Sequence, residues 1–380
     1  MIALVFWLSV ATVVYTYALF PLLVFARGRF LARPHGVGVG TPGVSILIAA
    51  RNEEAGIAAK LDSLLALDYP AEWLQIVIVS DGSDDETDDI VGGYLDRGVE
   101  LVPLPRVGKA AALNAAAARA RGQILLFSDA NSMFAPDAVR ALVAPFADPA
   151  VGGVAGNQRY AAGGDATTAA GERGYWSFDT ALKRAESAAG NVISATGAIY
   201  AIRRDLFRPV PEGVTDDFVT STRVIAQGYR LVFAQDAVAT EPVGASAEVE
   251  FGRKVRVMTR GFRSVLVMRE LLNPFRHGFY ALQLLSHKVL RRLSVVPLLG
   301  IAVTSPLLWG SGFPYREASL AQALLYGLGG VGILFRRTAV GRWRPLALPA
   351  FFCLVNVAAL RALWNLASGR KIERWEPERA

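Results

Sequence analysis

The first 26 residues, Met1 to Ala26, carry no charged side chain, and Arg27, Arg29 and Arg33 follow at once. About 20 consecutive apolar residues suffice to cross the hydrocarbon core of a bilayer. A cleaved leader places its cations before the apolar run, whereas here they come after it. The pattern predicts a retained anchor over residues 1–26, with its N-terminus outside and Arg27 in the cytoplasm. Three further runs lie toward the C-terminus. Leu293 to Tyr315 is uncharged and follows Lys288, Arg291 and Arg292. Ala318 to Phe335 is uncharged and precedes Arg336, Arg337, Arg342 and Arg344. Both sets of cations then fall on the same side as Arg27. The last run, Pro345 to Leu360, has only 16 residues before Arg361. It fits either a span or a segment lying along the surface. A span would put Arg370, Lys371 and Arg374 outside, against the positive-inside tendency.

Composition bears on the same point. The chain is 53% hydrophobic and 19% charged, against about 25% charged in soluble domains. Its 380 residues leave room for one large domain or two ordinary ones. A net charge of +7 could suit nucleic acid. Many of the cations flank apolar runs, however, where they set orientation and meet anionic headgroups. Membrane lipids, and no nucleic acid, are therefore the expected partners. A single cysteine, Cys353, excludes an intrachain disulfide. His35, His277 and His287 are scattered and form no zinc-like cluster.

Between the anchor and the later runs, the pattern alternates. The Gly/Pro-rich stretch "RPHGVGVGTPG" reads as a linker. Its glycines precede a strand, so they do not form a dinucleotide fingerprint. "GVSILIAA" (43–50), "LQIVIVS" (74–80), "VELVPLP" (99–105) and "QILLFS" (123–128) predict four strands. The prolines of the third place it at an edge. Helices are predicted near 53–67, 84–95, 108–120, 168–190 and 216–227. Strand–helix alternation argues for an α/β fold with a largely parallel sheet. Residues 253–270 mix cations with apolar side chains, as in an amphipathic helix on a membrane surface or an ordinary basic surface helix.

Ligands of open α/β sheets bind beyond the carboxyl ends of the strands. Polar clusters stand at three such ends: "ARNEE" (50–54), "SDGSDD" (80–85) and "SDAN" (128–131). One acidic strand end is explained by helix capping; several converging on one edge predict a site. Acids do not suit a bare phosphate. They suit a ribose, a base or a hard divalent cation that bridges to substrate phosphates. Lys109 could add a point charge to a diphosphate, or be a solvated lysine at a helix start. "VGKA" lacks the glycines and the Ser/Thr of a P-loop.

The fragments "ARNEE", "VSDGSDDET", "GKAAALN", "FSDANSMF", "ATGAIYAIRRDLF", "TDDFVTSTRVIAQGYRLVFAQDA" and "RKVRVMTRG" occur in this order over roughly residues 43–261. Together they resemble family 2 glycosyltransferases, in the membrane-bound branch that builds polysaccharides and glycolipids. The resemblance implies a GT-A, Rossmann-like domain that binds a nucleotide-sugar, with transmembrane helices on its N- and C-terminal sides. The expected division is an anchor (1–26), a linker (27–42), the GT-A domain (43–245), an amphipathic interface region (246–292), membrane segments (293–368) and a tail (369–380).

The resemblance also implies roles. Glu53 and Asp81 contact the nucleoside, with Arg51 nearby, and Lys109 approaches the diphosphate. Asp129 opens the motif that usually reads Asp-x-Asp and binds a divalent cation, Mg2+ or Mn2+. Asp217 occupies the catalytic-base position, and Arg253 and Arg256 match a Gln/Arg-x-x-Arg-Trp motif at the acceptor or diphosphate. Two positions depart from the pattern. Asn131 replaces the second acid of the metal motif: its carbonyl can still ligate a hard cation, but it brings no charge. Val257 stands where processive synthases have Trp, which favours one sugar per encounter.

An acceptor hydroxyl attacking an anomeric carbon needs a base, and a carboxylate such as Asp217 can serve, leaving Asp216 to capping or positioning. The leaving diphosphate needs its charge neutralised by the cation and by Lys109 or Arg256. The expected donor is a UDP-sugar and the acceptor a saccharide or lipid-linked glycan at the inner face of the cell membrane. Two alternatives remain: transfer to a polyprenyl phosphate, which is already ionised and needs no base, and a non-catalytic scaffold with a degenerate nucleotide site.

Overall fold

The structure, a computed structural model, describes residues 1–161, 166–242, 247–336, 338–341 and 343–370. Arg337, Arg342, Lys371, Arg374 and most of the expected tail lie outside the described residues. The described residues fall into two compact units. One comprises residues 1–23, 247–262 and 282–370; the other comprises 24–242 and 263–281.

The first unit is helical. Ile2–Phe30 forms one apolar helical stretch of 29 residues, with a π-helical turn at Tyr15–Leu19. It continues past Ala26 through Arg27 and Arg29. Tyr315–Leu334 and Arg344–Ala367 are also long and apolar enough to cross a membrane. Phe279–Leu293 and Val295–Leu307 form a pair bent by 51° that would count as a fourth span. The run that stops at Leu360 in sequence thus lies in a 24-residue helix that carries Arg361 within it. Hydroxyl pairs link helices inside this unit, where groups withdrawn from water need partners. The Tyr15 and Ser286 hydroxyls lie 2.8 Å apart, and those of Tyr17 and Ser294 lie 3.0 Å apart. Arg253, Arg256 and the half-exposed Val257 are on the helix Ala247–Val267.

The second unit is built on an eight-stranded sheet. Its strands are β1 (Val44–Ala50), β2 (Leu74–Asp81), β3 (Val99–Leu104), β4 (Ile124–Phe127), β5 (Met133–Phe134), β6 (Val151–Tyr160), β7 (Tyr200–Arg203) and β8 (Arg230–Glu241). The order is β3-β2-β1-β4-β7-β6-β8-β5. The four strands read from sequence pair in parallel, and β3 is at the edge, as its prolines require. β1 is buried along its whole length, which accounts for its unbroken apolar run.

The other half corrects the expectation of a largely parallel sheet. β7 runs antiparallel to both β4 and β6, while β6 and β8 are parallel to each other. β6, "VGGVAGNQRY", is too rich in glycine to register as a strand by composition. Its glycines reflect packing: a Cβ at Gly152 would fall 2.5 Å from the Tyr229 Cβ. The helix Ile57–Leu65 starts later than expected, because Arg51 to Gly56 form a structured loop. Its buried Ile57, Leu61 and Leu64 join Ile46, Ile48, Val139 and Leu142 in the core on that face.

The register decides where function can lie. Ala50 pairs with Ser80, and Leu47 with Phe127, so β1, β2 and β4 end along one edge. Because β7 is antiparallel to β4, with Tyr200 opposite Phe127, its preceding segment Ala195–Ile199 reaches the same edge.

Candidate active site

The loops after β1 and β2 are laced together. Asn52 is the one non-glycine residue with positive φ (52°) among the described residues. In that conformation its amide forms a reciprocal pair with Asp84: the Asp84 N–H donates to the Asn52 carbonyl oxygen at 3.0 Å, and the Asn52 amide donates back to the Asp84 carboxylate. The Glu53 N–H donates to Thr87 Oγ1 at 2.8 Å, and the Glu54 N–H donates to Asp85. This lacing holds Glu53 at the sheet edge. Burial, then Asp129, then Asp85 push its carboxyl up to about 7. Arg51 is buried, and its Nη1 has no hydrogen-bond partner among the described residues. An unpaired buried donor costs on the order of 1–3 kcal/mol, so Arg51 Nη1 is a donor for which the described residues supply no acceptor.

Asp81, at the end of β2, is buried. Its Oδ1 accepts from the N–H groups of Val107 and Gly108, at 2.7 and 2.8 Å. Gly82, with φ of 64°, permits this: a Cβ there would fall 2.7 Å from the Arg106 nitrogen. Asp81 thereby fixes the turn that launches the helix Lys109–Arg119, with Lys109 at its first position.

The centre of the site is Lys109. Its Nζ lies 2.6 Å from Asp129 Oδ1 and 3.3 Å from Asp216 Oδ2. Burial opposes the ammonium, but Asp129 and Asp216 outweigh it and hold its pKa well above the usual lysine value. Asp216 and Asp217 occupy the first turn of the helix Asp216–Ala226, where the N-terminal dipole suits acids. The preceding Thr215 makes no side-chain cap bond. The Phe218 N–H donates to Asp217 Oδ1 at 2.7 Å. Burial first, and Asp216 second, push the Asp217 carboxyl up to about 7, against the pull of Lys109.

Asp129 follows β4. Its N–H donates to the Gly197 carbonyl at 3.0 Å, and a Cβ on Gly197 would fall 2.5 Å from Asp129 Oδ2. Only glycine leaves room for the carboxylate there. The Asp129 side chain is one-third exposed and Asn131 is exposed. Two oxygen donors facing solvent fit a hard cation that completes its shell with water and substrate phosphates. Among the described residues, no group of three or more His, Cys, Asp or Glu forms a closed metal cage.

The fold thus gathers Arg51, Glu53, Asp81, Lys109, Asp129, Asn131, Asp216 and Asp217 within one unit. Arg253 and Arg256 belong to the other unit. Three residues escaped the sequence reading: Asn52, Gly197 and the buried Lys60. Asn52 lies inside "ARNEE" and Gly197 inside "ATGAIY", so their motifs were visible although their roles were not. Lys60 sits in an otherwise ordinary helical pattern.

A mixed sheet with a polar edge built from β1, β2, β4 and the helix at Asp216 is the arrangement of a GT-A fold. Residues 45–210 match the Glycosyl transferase family 2 model. The matched range contains every residue of the site up to Asn131 and stops before Asp216 and Asp217.

Among curated relatives, an N-acetylglucosaminyltransferase of Rhizobium meliloti is 28% identical over 290 residues, covering 70% of this chain and 68% of that protein. A beta-monoglucosyldiacylglycerol synthase of Nostoc sp. is 29% identical over 229 residues, covering 58% of this chain and 48% of that one. The chain therefore spans about two thirds of the first relative and about half of the second. Among solved structures, a mannosyltransferase from Pyrobaculum calidifontis in complex with GDP-Man and Mn2+ superposes with a TM-score of 0.71 at 22% identity. The match covers 97% of this chain and all of that one. At this identity the match speaks to fold.

Proposed function

We propose that the protein is an inverting glycosyltransferase. In this reading it moves a sugar from a nucleotide-sugar to a hydroxyl of a saccharide or glycolipid acceptor at the cytoplasmic face of the inner membrane. One observation carries the reading: Lys109 is held between Asp129 and Asp216, with Asp217 next in the same helical turn and its carboxyl raised into the neutral range. A base of that pKa is ionised in a useful fraction at neutral pH yet basic enough to take a proton in the transition state. The acceptor oxygen forms its bond to the anomeric carbon while the bond to the diphosphate breaks. The hydroxyl proton passes to Asp217, and the electron pair leaves with the diphosphate. Lys109 faces the charge that develops on that group, and Arg51 belongs near the nucleoside end. Glu53 and Asp81 stand at the nucleoside end. Asp129 and the Asn131 carbonyl would hold a divalent cation, Mg2+ or Mn2+, whose chemistry is to neutralise the diphosphate. The relatives' N-acetylglucosaminyl and glucosyl products favour a UDP-sugar donor.

The test is turnover by the purified full-length protein with UDP-GlcNAc, UDP-glucose and GDP-mannose, reading the product's anomeric configuration by NMR. Inversion with at least one donor is expected. A retained configuration would exclude the single displacement, and no turnover with any donor beside tight nucleotide binding would favour the non-catalytic scaffold.

The proposed orientation rests on Arg27, Arg29 and Arg33 following the first apolar helix. Asp96 is exposed in the second unit. With Cys353 replaced by Ser, Asp96→Cys should resist a membrane-impermeant maleimide in intact cells and react after lysis. Rapid labelling of intact cells would reverse the topology.

A further inference from the structure

Beneath the turn that carries Asp129 and Asn131 lies a polar network that the mechanism does not use. Lys60, on the helix Ile57–Leu65, is the one lysine with no exposed surface among the described residues. Burial pushes its pKa down to about 7, with Asp129 and Glu241 opposing. A buried amine is costly unless hydrogen-bonded, and this one is. Its Nζ donates to Ser128 Oγ at 2.9 Å and to the Ser132 carbonyl, and it lies 3.9 Å from the centre of the Phe134 ring. The Ser128 hydroxyl in turn lies 2.9 Å from the Ala198 carbonyl, next to Gly197. The Ser132 hydroxyl donates to Glu241 Oε1 at 2.5 Å, and Gln158 donates to Glu241 Oε2 at 2.6 Å. The amine therefore grips both ends of the Ser128–Ser132 turn, and Ser128 ties that turn to the segment that makes room for the Asp129 carboxylate.

We propose that Lys60 is a positioning residue: from inside the core it fixes the turn so that Asp129 and Asn131 present their oxygens together to a divalent cation and the diphosphate. This rests on the cation role proposed for Asp129. Partners behind a metal ligand are worth about 10–100-fold in metal affinity, and with only two protein donors the geometry of the turn has little redundancy.

The experiment is calorimetry of UDP binding to the full-length protein in detergent, with and without Mn2+, for wild type, Lys60→Met, Ser128→Ala and Asp129→Ala, alongside melting curves. Lys60→Met and Ser128→Ala should each weaken Mn2+-dependent UDP binding by about 10–100-fold, while metal-free UDP binding stays within about twofold. A residue that serves only stability would lower the melting temperature and leave the Mn2+ enhancement of the folded protein intact; that result overturns the proposal. Should Lys60→Met fail to fold, the smaller Ser128→Ala change decides in the same way. If Asp129→Ala keeps the full Mn2+ enhancement, the cation role of Asp129 itself is wrong and the proposal falls with it. An unchanged Lys60→Met beside a disabled Asp129→Ala overturns the Lys60 role alone.

Discussion

Asp217→Asn is expected to lower kcat by about 10²–10⁴-fold, the usual contribution of a positioned general base, with nucleotide-sugar affinity nearly unchanged. Asparagine keeps the shape of the side chain and can still accept the Phe218 N–H, but it cannot take a proton. Asp216→Asn should cost less, because Asp216 acts through Lys109. In wild type, kcat/KM should fall as pH drops below about 7, where Asp217 is protonated. Glu53 titrates in the same range, so Glu53→Gln should be run beside it and should retain the acid limb. The same substitution makes an opposite prediction for stability. The folded-state pKa of Asp217 lies above the ordinary aspartate value near 4, so ionisation opposes folding. That cost is absent well below pH 4, grows as pH rises and is complete above about 7. Asp217→Asn should therefore melt at least about 2 °C higher than wild type at pH 8 and close to wild type at pH 4. A full-rate Asp217→Asn enzyme would exclude base catalysis there and favour an ionised phosphate acceptor. Equal large losses at Asp216 and Asp217 would mean that the two acids act as one unit.

Asp129→Ala is expected to remove turnover to the limit of detection and to weaken nucleotide binding in Mn2+. The carboxylate has two tasks that alanine cannot share: its Oδ1 holds Lys109 at 2.6 Å, and its exposed side would ligate the cation. Removing it also leaves the half-buried Lys109 ammonium with Asp216 as its nearest remaining partner, which should pull the lysine away from the diphosphate. Asn131→Asp should act in the other direction. It adds a charge to an exposed oxygen donor and so should keep activity while lowering the Mn2+ concentration needed for half-maximal rate. These are measured by titrating Mn2+ and Mg2+ into the transfer assay. Unchanged activity in excess chelator would show that Asp129 works through Lys109 and not through a metal.

How far residues alone reach is visible in particular elements. β1, β2 and β4 were legible because a strand buried on both faces needs an unbroken apolar run, and that requirement is local. The acidic strand ends were legible because a carboxylate beyond such a run is costly without a partner. The apolar helices were legible because a bilayer demands length and lack of charge, both countable. β6 was not legible, since its glycines answer to Tyr229 and Leu206 packed against them and not to strand propensity.

The pairing of Lys109 with both Asp129 and Asp216 could not be read either. Which acid holds the lysine depends on where the Asp216 helix is set against the sheet edge, and no local pattern encodes that. The same holds for Lys60, whose spacing in its helix resembles that of any solvated lysine until the turn at Ser128–Ser132 is laid over it. Chain composition and periodicity thus determined the long apolar helices, the α/β class and the set of candidate acids, because each follows from the free energy of burying a short stretch of chain. Tertiary structure alone decided the mixed half of the sheet, the lysine held between two acids and the buried amine beneath the Asp129 turn, because these depend on contacts between residues that only folding brings together.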